Sequence, residues 1–172
     1  MAAAGGAPVS FEPGTPAASW RPEGYHSLTP GIVVRNAAAV IDFYVRAFGA
    51  VERTRMAMPD GRLMHAEVQI GDSVVMLSDE MPEFGATSPL SLGGTPFGMM
   101  LYVDDVDATF AGAVEAGAEA KQPVQDMFWG DRYGMVKDPS GHEWGLATHT
   151  RDLTPEQMAE EMKKQFAAPA GE

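Results

Sequence analysis

The sequence predicts an α+β protein of two tandem βαβββ units, whose strands form a curved mixed β-sheet around one cavity with the helices on the outside. Three observations predict this. The chain repeats itself: a pattern running from Val34 to Ala50 returns from Val103 to Ala118. Each copy is a short apolar strand, an Asx residue able to cap a helix, about three helical turns and a Gly-Ala stop. Each helix is then followed by further short apolar segments, closing with Gly71–Leu77 in the first copy and Asp138–Leu146 in the second. Two copies make a duplication rather than a solenoid, which needs three or more units. Finally, Met64, Ala66, Val68 and Ile70 alternate with His65, Glu67 and Gln69, the period of a strand with one face covered.

The elements follow in order. Residues 1–24 form an Ala/Gly/Pro-rich tail expected to be disordered, in which Phe11 and Trp20 are either stray aromatics or partner anchors. A single domain spans 25–150, with the first unit over about 28–79, a linker over about 80–97 and the second unit over about 98–149. Residues 29–34 read as a strand. Asn36 caps a helix whose apolar residues Val40, Ile41, Tyr44, Val45 and Phe48 lie at helical spacing. Strands follow at about 50–57, 63–70 and 73–78, with Pro59-Asp60-Gly61 and Gly71-Asp72 as turns. Pro82, Pro89, Pro96, Gly93 and Gly94 mark the linker. The second unit opens with a strand over 98–103 and a helix over about 106–116. A short strand near Glu119 and a loop over 126–131 follow, then strands at about 132–137 and 143–148 around the turn Asp138-Pro139-Ser140-Gly141. Residues 151–172 are a C-terminal amphipathic helix and tail: Thr154 caps, Pro155 takes the first position, Gln157 completes a capping box, and Met158, Met162 and Phe166 line one face. That stripe packs on its own domain or meets a second copy.

With 172 residues and 45% hydrophobic content, the chain is long enough for one substantial core. A net charge of −12 argues against nucleic acid, whose phosphates demand a basic surface. No apolar run reaches the roughly 20 residues of a membrane helix. No basic segment precedes an apolar one near the start, so the cytoplasm is the expected location. The absence of cysteine excludes disulfides and thiolate chemistry.

The helix signatures Ile41-Asp42-Phe43-Tyr44 and Val106-Asp107-Ala108-Thr109-Phe110 resemble those of the glyoxalase/bleomycin-resistance/dioxygenase superfamily, also called the vicinal oxygen chelate superfamily. The segments His65-Ala66-Glu67 to Asp79, Met127 to Gly134, Asp138 to His142 and Ala147-Thr148-His149 resemble its PhnB-like branch. The likeness covers about residues 26–150. It implies the fold strongly and the function weakly, because this fold hosts isomerases, lyases, dioxygenases and drug-binding proteins. In metal-dependent members four ligands converge in the cavity; the resemblance lays those positions on Thr29, Met76, Gly98 and Gly145. Divalent ions need several N or O donors, and this set does not supply them. The reading is therefore no metal and no cofactor, and neither glyoxalase I nor dioxygenase chemistry.

Strand alternation gives the residues sharing that cavity. Thr29, Met76, Ser78, Met100, Tyr102, Trp129 and Glu143 are the expected ligand-binding set, with Val74, Ala147 and His149 beside them. Trp129 either stacks on a flat ligand from a loop at the mouth or plugs a core or interface. Arg132 pairs with Asp126 or Asp131, and His142 sits exposed in its turn. His65 and Glu67 are neighbours on one strand face, either an acid/base pair or a satisfied polar pair. The reading is a metal-free small-molecule-binding protein of the bleomycin-resistance type, sequestering a drug or an aromatic metabolite, and hence linked to antibiotic resistance. One alternative is a metal-independent lyase, isomerase or hydrolase with His65 and Glu67 as catalytic residues. Another is a vestigial pocket with a role through protein partners. A homodimer is expected.

Overall fold

The computed structural model describes Gly14, Ala17 and residues 19–167. Phe11 and most of the expected tail disorder lie outside the described residues. The first unit is β1 (Gly31–Val34), α1 (Ala37–Phe48), β2 (Val51–Ala57), β3 (Leu63–Ile70) and β4 (Ser73–Asp79). The linker carries a 3₁₀ turn at Pro82–Phe84 and a one-turn α2 (Pro89–Leu92). The second unit is β5 (Gly98–Tyr102), α3 (Val106–Ala116), β6 (Glu119–Asp126), β7 (Asp131–Lys137) and β8 (Glu143–His149), and α4 (Pro155–Phe166) follows. The repeat is exact in topology: the sheets run β1-β4-β3-β2 and β5-β8-β7-β6, each with one parallel pair between its first and last strand.

The helices form where the caps are. Asn36 accepts from Ala39 N–H, Asp105 from Ala108 N–H, and Thr154 and Gln157 close a reciprocal capping box on α4. Gly49 and Gly117 stop α1 and α3 in the left-handed conformation that glycine adopts without strain. The strand at Glu119 is longer than its sequence suggests. Pro123 and two register shifts against β7 break the alternation that would have marked it.

The α+β class and the tandem units stand, and the packing adds a particular. The eight strands fall into two four-stranded sheets, and α1 packs on α3 between them. One core joins the helices to the inner faces of both sheets: Val34, Val68 and Leu77 from the first, Val136, Trp144 and Leu146 from the second, with Ile41, Phe43 and Tyr44 of α1. Each sheet therefore keeps an open face turned away from the helices. The site residues lie on those open faces.

Candidate functional site: two open sheet faces and the cleft between their edges

On the first sheet, Ala66, Val68 and Ile70 point into the core and send His65, Glu67 and Gln69 to the open face, as the alternation requires. Met64 departs from it and is exposed. Val75 and Leu77 turn inward on β4, so Val74, Met76 and Ser78 take the open side. His65 Nε2 lies 2.9 Å from Glu67 Oε1. Glu67 is held below the usual carboxylate range, first by that bond and then by the Tyr25 hydroxyl. Tyr25 reaches this face from the N-terminal segment, and the Arg53 guanidinium stands 5.1 Å from its ring centre.

On the second sheet, Met99, Leu101 and Trp144 pack inward, leaving Met100, Tyr102, Glu143, Gly145 and Ala147 on the open face. Tyr133 and Met135 join them from β7. Gly145 has a steric reason: a Cβ there would lie 2.8 Å from Tyr133 Cε2 and 3.1 Å from Met100 Sδ. The phenol ring and the thioether occupy the space a side chain would need.

Asp131 organises this face. It is 3% exposed and accepts three side-chain hydrogen bonds: from Tyr102 Oη–H at 3.0 Å, Trp129 Nε1–H at 2.9 Å and His149 Nδ1–H at 2.7 Å. Hydrogen bonding to Asp131 raises the Tyr102 phenol, and Asp131 followed by Asp152 raises His149. Of the two partners expected for Arg132, Asp126 pairs with it and Asp131 does not. Arg132 points to the other side of β7, to Asp107 at 2.6 Å and Asp126 at 3.2 Å. Trp129 meets Tyr133 edge-on at 5.7 Å and Phe128 at 4.9 Å; Phe128 in turn meets Phe166 of α4 at 6.1 Å. No residue of α4 is buried, and Met162 and Phe166 stay exposed. Tyr133 and the role of Asp131 escaped the sequence reading. The available signal was the period-2 spacing of Asp131, Tyr133 and Met135.

Within one chain the expected ligand-binding residues are divided. Met76 and Ser78, with His65 and Glu67, belong to the first open face; Met100, Tyr102, Trp129 and Glu143 belong to the second. Thr29 lies at the entry to β1, where its hydroxyl donates to the His26 carbonyl at 3.1 Å. It joins Met100 and Tyr102 along a cleft of about 750 Å³ between the edge strands β1 and β5, walled also by Leu28, Phe97 and Trp144.

His142 is corrected: it is buried, not exposed in its turn. Its Nε2–H donates to the Val33 carbonyl at 3.0 Å across the seam between the units, while Nδ1 is buried without a partner. Asp138 of the same turn is 3% exposed and accepts from Tyr44 Oη–H at 2.7 Å, Trp144 Nε1–H at 3.1 Å and Ser140. This turn fastens the second unit to the first.

The metal of the oxygen-chelating families does not fit these residues. Of the four positions, Gly98 and Gly145 carry no donor, Met76 is a soft thioether, and Thr29 contributes one hydroxyl that is already engaged. Tyr133 and Met100 fill the room a ligand at position 145 would need. Among the described residues, no three His, Asp or Glu side chains converge to hold a metal ion. No described helix is long and apolar enough to cross a membrane.

Comparison with known proteins agrees with this architecture. The chain is 45% identical over 142 residues to uncharacterized proteins of Mycobacterium bovis and Mycobacterium tuberculosis, covering 81% of this chain and 93% and 84% of theirs. Among solved structures it resembles TioX from Micromonospora sp. ML1, with 27% identity, 75% of this chain and 100% of that one covered, and a TM-score of 0.57. The fold alone is shared with a PhnB protein of Bacillus cereus, at 14% identity, 72% and 99% coverage and a TM-score of 0.56. It is also shared with the fosfomycin resistance protein FosX of Mesorhizobium loti, at 19% identity, 78% and 97% coverage and a TM-score of 0.56. A family model matches residues 25–146, and the chain belongs to the glyoxalase/bleomycin resistance protein/dioxygenase superfamily.

Proposed function

We propose that this is a metal-free small-molecule-binding protein that sequesters a drug or an aromatic metabolite and works in the cytoplasm as a homodimer. One observation carries the reading: the open face of the second sheet presents Tyr102, Trp129, Tyr133 and Met100 with the two outer rings tied to a buried carboxylate. Rigid aromatic walls with a few fixed polar groups are the makings of a small-molecule site. The binding residues are divided between two open faces, and Met56, Met100 and Tyr102 leave apolar surface uncovered there. A second copy, laying the first-unit face of one chain over the second-unit face of the other, would enclose one site at each junction and cover that surface.

The 2.9 Å His65–Glu67 contact favours a second reading, a metal-independent lyase, isomerase or hydrolase with these two as acid and base. A thermal-shift screen against aromatic metabolites and divalent metals supplies a first ligand. Trp129→Ala should then weaken a stacked ligand by about 1–3 kcal/mol, by analogy with base stacking on aromatics. His65→Ala should cost a binder about 1 kcal/mol. A turnover loss of about 10²–10⁴-fold in His65→Ala, with binding intact, would select the enzyme instead. Light scattering should give twice the chain mass at micromolar concentration; a single-chain mass removes the dimer.

A further inference from the structure

We propose that the open face of the second sheet takes a flat organic cation, such as a quaternary or protonated heteroaromatic amine, with Glu143 as its counter-ion. This rests on the small-molecule reading above and names the class of ligand.

Glu143 sits half-buried at the start of β8 on the same face as Gly145, and its carboxylate has no hydrogen-bond or ion-pair partner among the described residues. The cations nearest in sequence and register are committed elsewhere. Lys137, opposite Glu143 across the β7–β8 ladder, turns to Glu119 at 2.5 Å. Arg132 is held on the other side of β7 by Asp107 and Asp126. His149, at the far end of β8, bridges Asp131 and Asp152. Burial, and then the negative charge of Glu143, raise the Tyr133 phenol, which agrees with a carboxylate close to that ring.

The rings add to this. Trp129 and Tyr102 stand toward the other end of the β7–β8 ladder from Glu143, with Tyr133, 5.7 Å from the Trp129 ring and set against Gly145, between them; both donate to Asp131, which is 3% exposed. Donation from an indole N–H or a phenol O–H to a carboxylate leaves the ring richer in electrons, and a richer ring face attracts a cation more strongly. Met100 Sδ, over Gly145, offers a polarizable contact of the same preference. A neutral aromatic would gain the stacking and nothing from Glu143. An anion would meet two carboxylates, in a protein whose net charge is −12.

The test uses three two-ring probes of one size and different charge: 1-methylquinolinium, 1-methylnaphthalene and 1-naphthoate. Binding to the full-length protein is followed by tryptophan fluorescence and calorimetry at pH 7.5 and low salt. The cation should bind about tenfold more tightly than the neutral probe, and the anion most weakly. Glu143→Gln should erase most of the preference for the cation while leaving 1-methylnaphthalene unchanged, with circular dichroism checking that the variant is folded. Equal affinities for cation and neutral probe, or a Glu143→Gln variant that keeps the preference, would overturn the cation inference and leave the binding reading standing. Failure of all three probes to bind at millimolar concentration would overturn both.

Discussion

The starts of α1 and α3 are held from the same place by different chemistry. Ala37 N–H donates to the Asp79 carboxylate at the end of β4, at 2.8 Å; Val106 N–H donates to the Thr148 hydroxyl at the equivalent end of β8, at 2.9 Å. Asp79 also takes Leu63 N–H, and Thr148 gives its own proton to the Val103 carbonyl. The two hairpin turns of the repeat have diverged much further. Gly71-Asp72 is exposed, with Asp72, among the described residues, bonding only to Ser73 and, at 3.9 Å, facing His26. Its counterpart, Asp138 to His142, is buried against α1 and β1 of the other unit. The duplication has thus kept the device that starts a helix and turned one of two equivalent turns into the fastening between the units.

The largest test of this contrast is at the turns. Asp138→Ala strips the partner from the Tyr44 hydroxyl and the Trp144 indole, both buried, and should destabilise the fold by about 3–5 kcal/mol. Asp72→Ala should change stability by no more than about 0.5 kcal/mol. Urea denaturation of both variants makes the measurement. Similar losses would mean that the second turn is an ordinary hairpin and not the fastening. The helix starts come next. Asp79→Ala leaves two buried backbone donors unpaired and removes a carboxylate from a helix N-terminus, for about 2–4 kcal/mol, whereas Thr148→Ala should cost about 1–2 kcal/mol. A larger loss in Thr148→Ala would show that the hydroxyl, not the carboxylate, is the stronger anchor.

The same contrasts mark what the sequence could express. The caps at Asn36, Asp105 and Thr154, the glycine stops at Gly49 and Gly117, and the alternation over Ala66, Val68 and Ile70 are local signals, and all of these residues sit where those signals place them. The Asp138-Pro139-Ser140-Gly141 pattern specified a turn correctly, yet not its burial, because Tyr44 arrives from 94 positions away. Sequence proximity offers Arg132 two partners: Asp126 pairs with it, whereas Asp131 is its immediate neighbour on β7. On a strand immediate neighbours face opposite sides, and the Asp131 carboxylate turned to Tyr102, Trp129 and His149 instead. The division of the site residues between two faces was equally hidden. Alternation tells which residues share a face, but not that Val74 of the first sheet and Met100 and Tyr102 of the second line one cleft.

The smallest effects separate the two faces by pH. The first face carries His65–Glu67 and the second His149–Asp131. Glu67 is lowered from 4.5, by His65 first, so its contribution is complete above about pH 4.5 and is lost as pH falls through its folded value. His149 is raised from 6.5, by Asp131 first, so its contribution is complete below about pH 6.5 and is lost as pH rises through its folded value. Both side chains reach solvent and salt screens them, so the slopes should be shallow. Urea midpoints followed from pH 3 to 9 should show a shallower acid-side slope in Glu67→Gln, since Glu80 and other paired carboxylates carry the rest of it, and a shallower slope above neutrality in His149→Asn, each leaving the other limb in place. Because Asp131 also orients Trp129 and Tyr102, His149→Asn should alter tryptophan fluorescence near neutral pH, while Glu67→Gln should not. If either variant flattened both limbs, the two faces would be titrating as one site rather than as two.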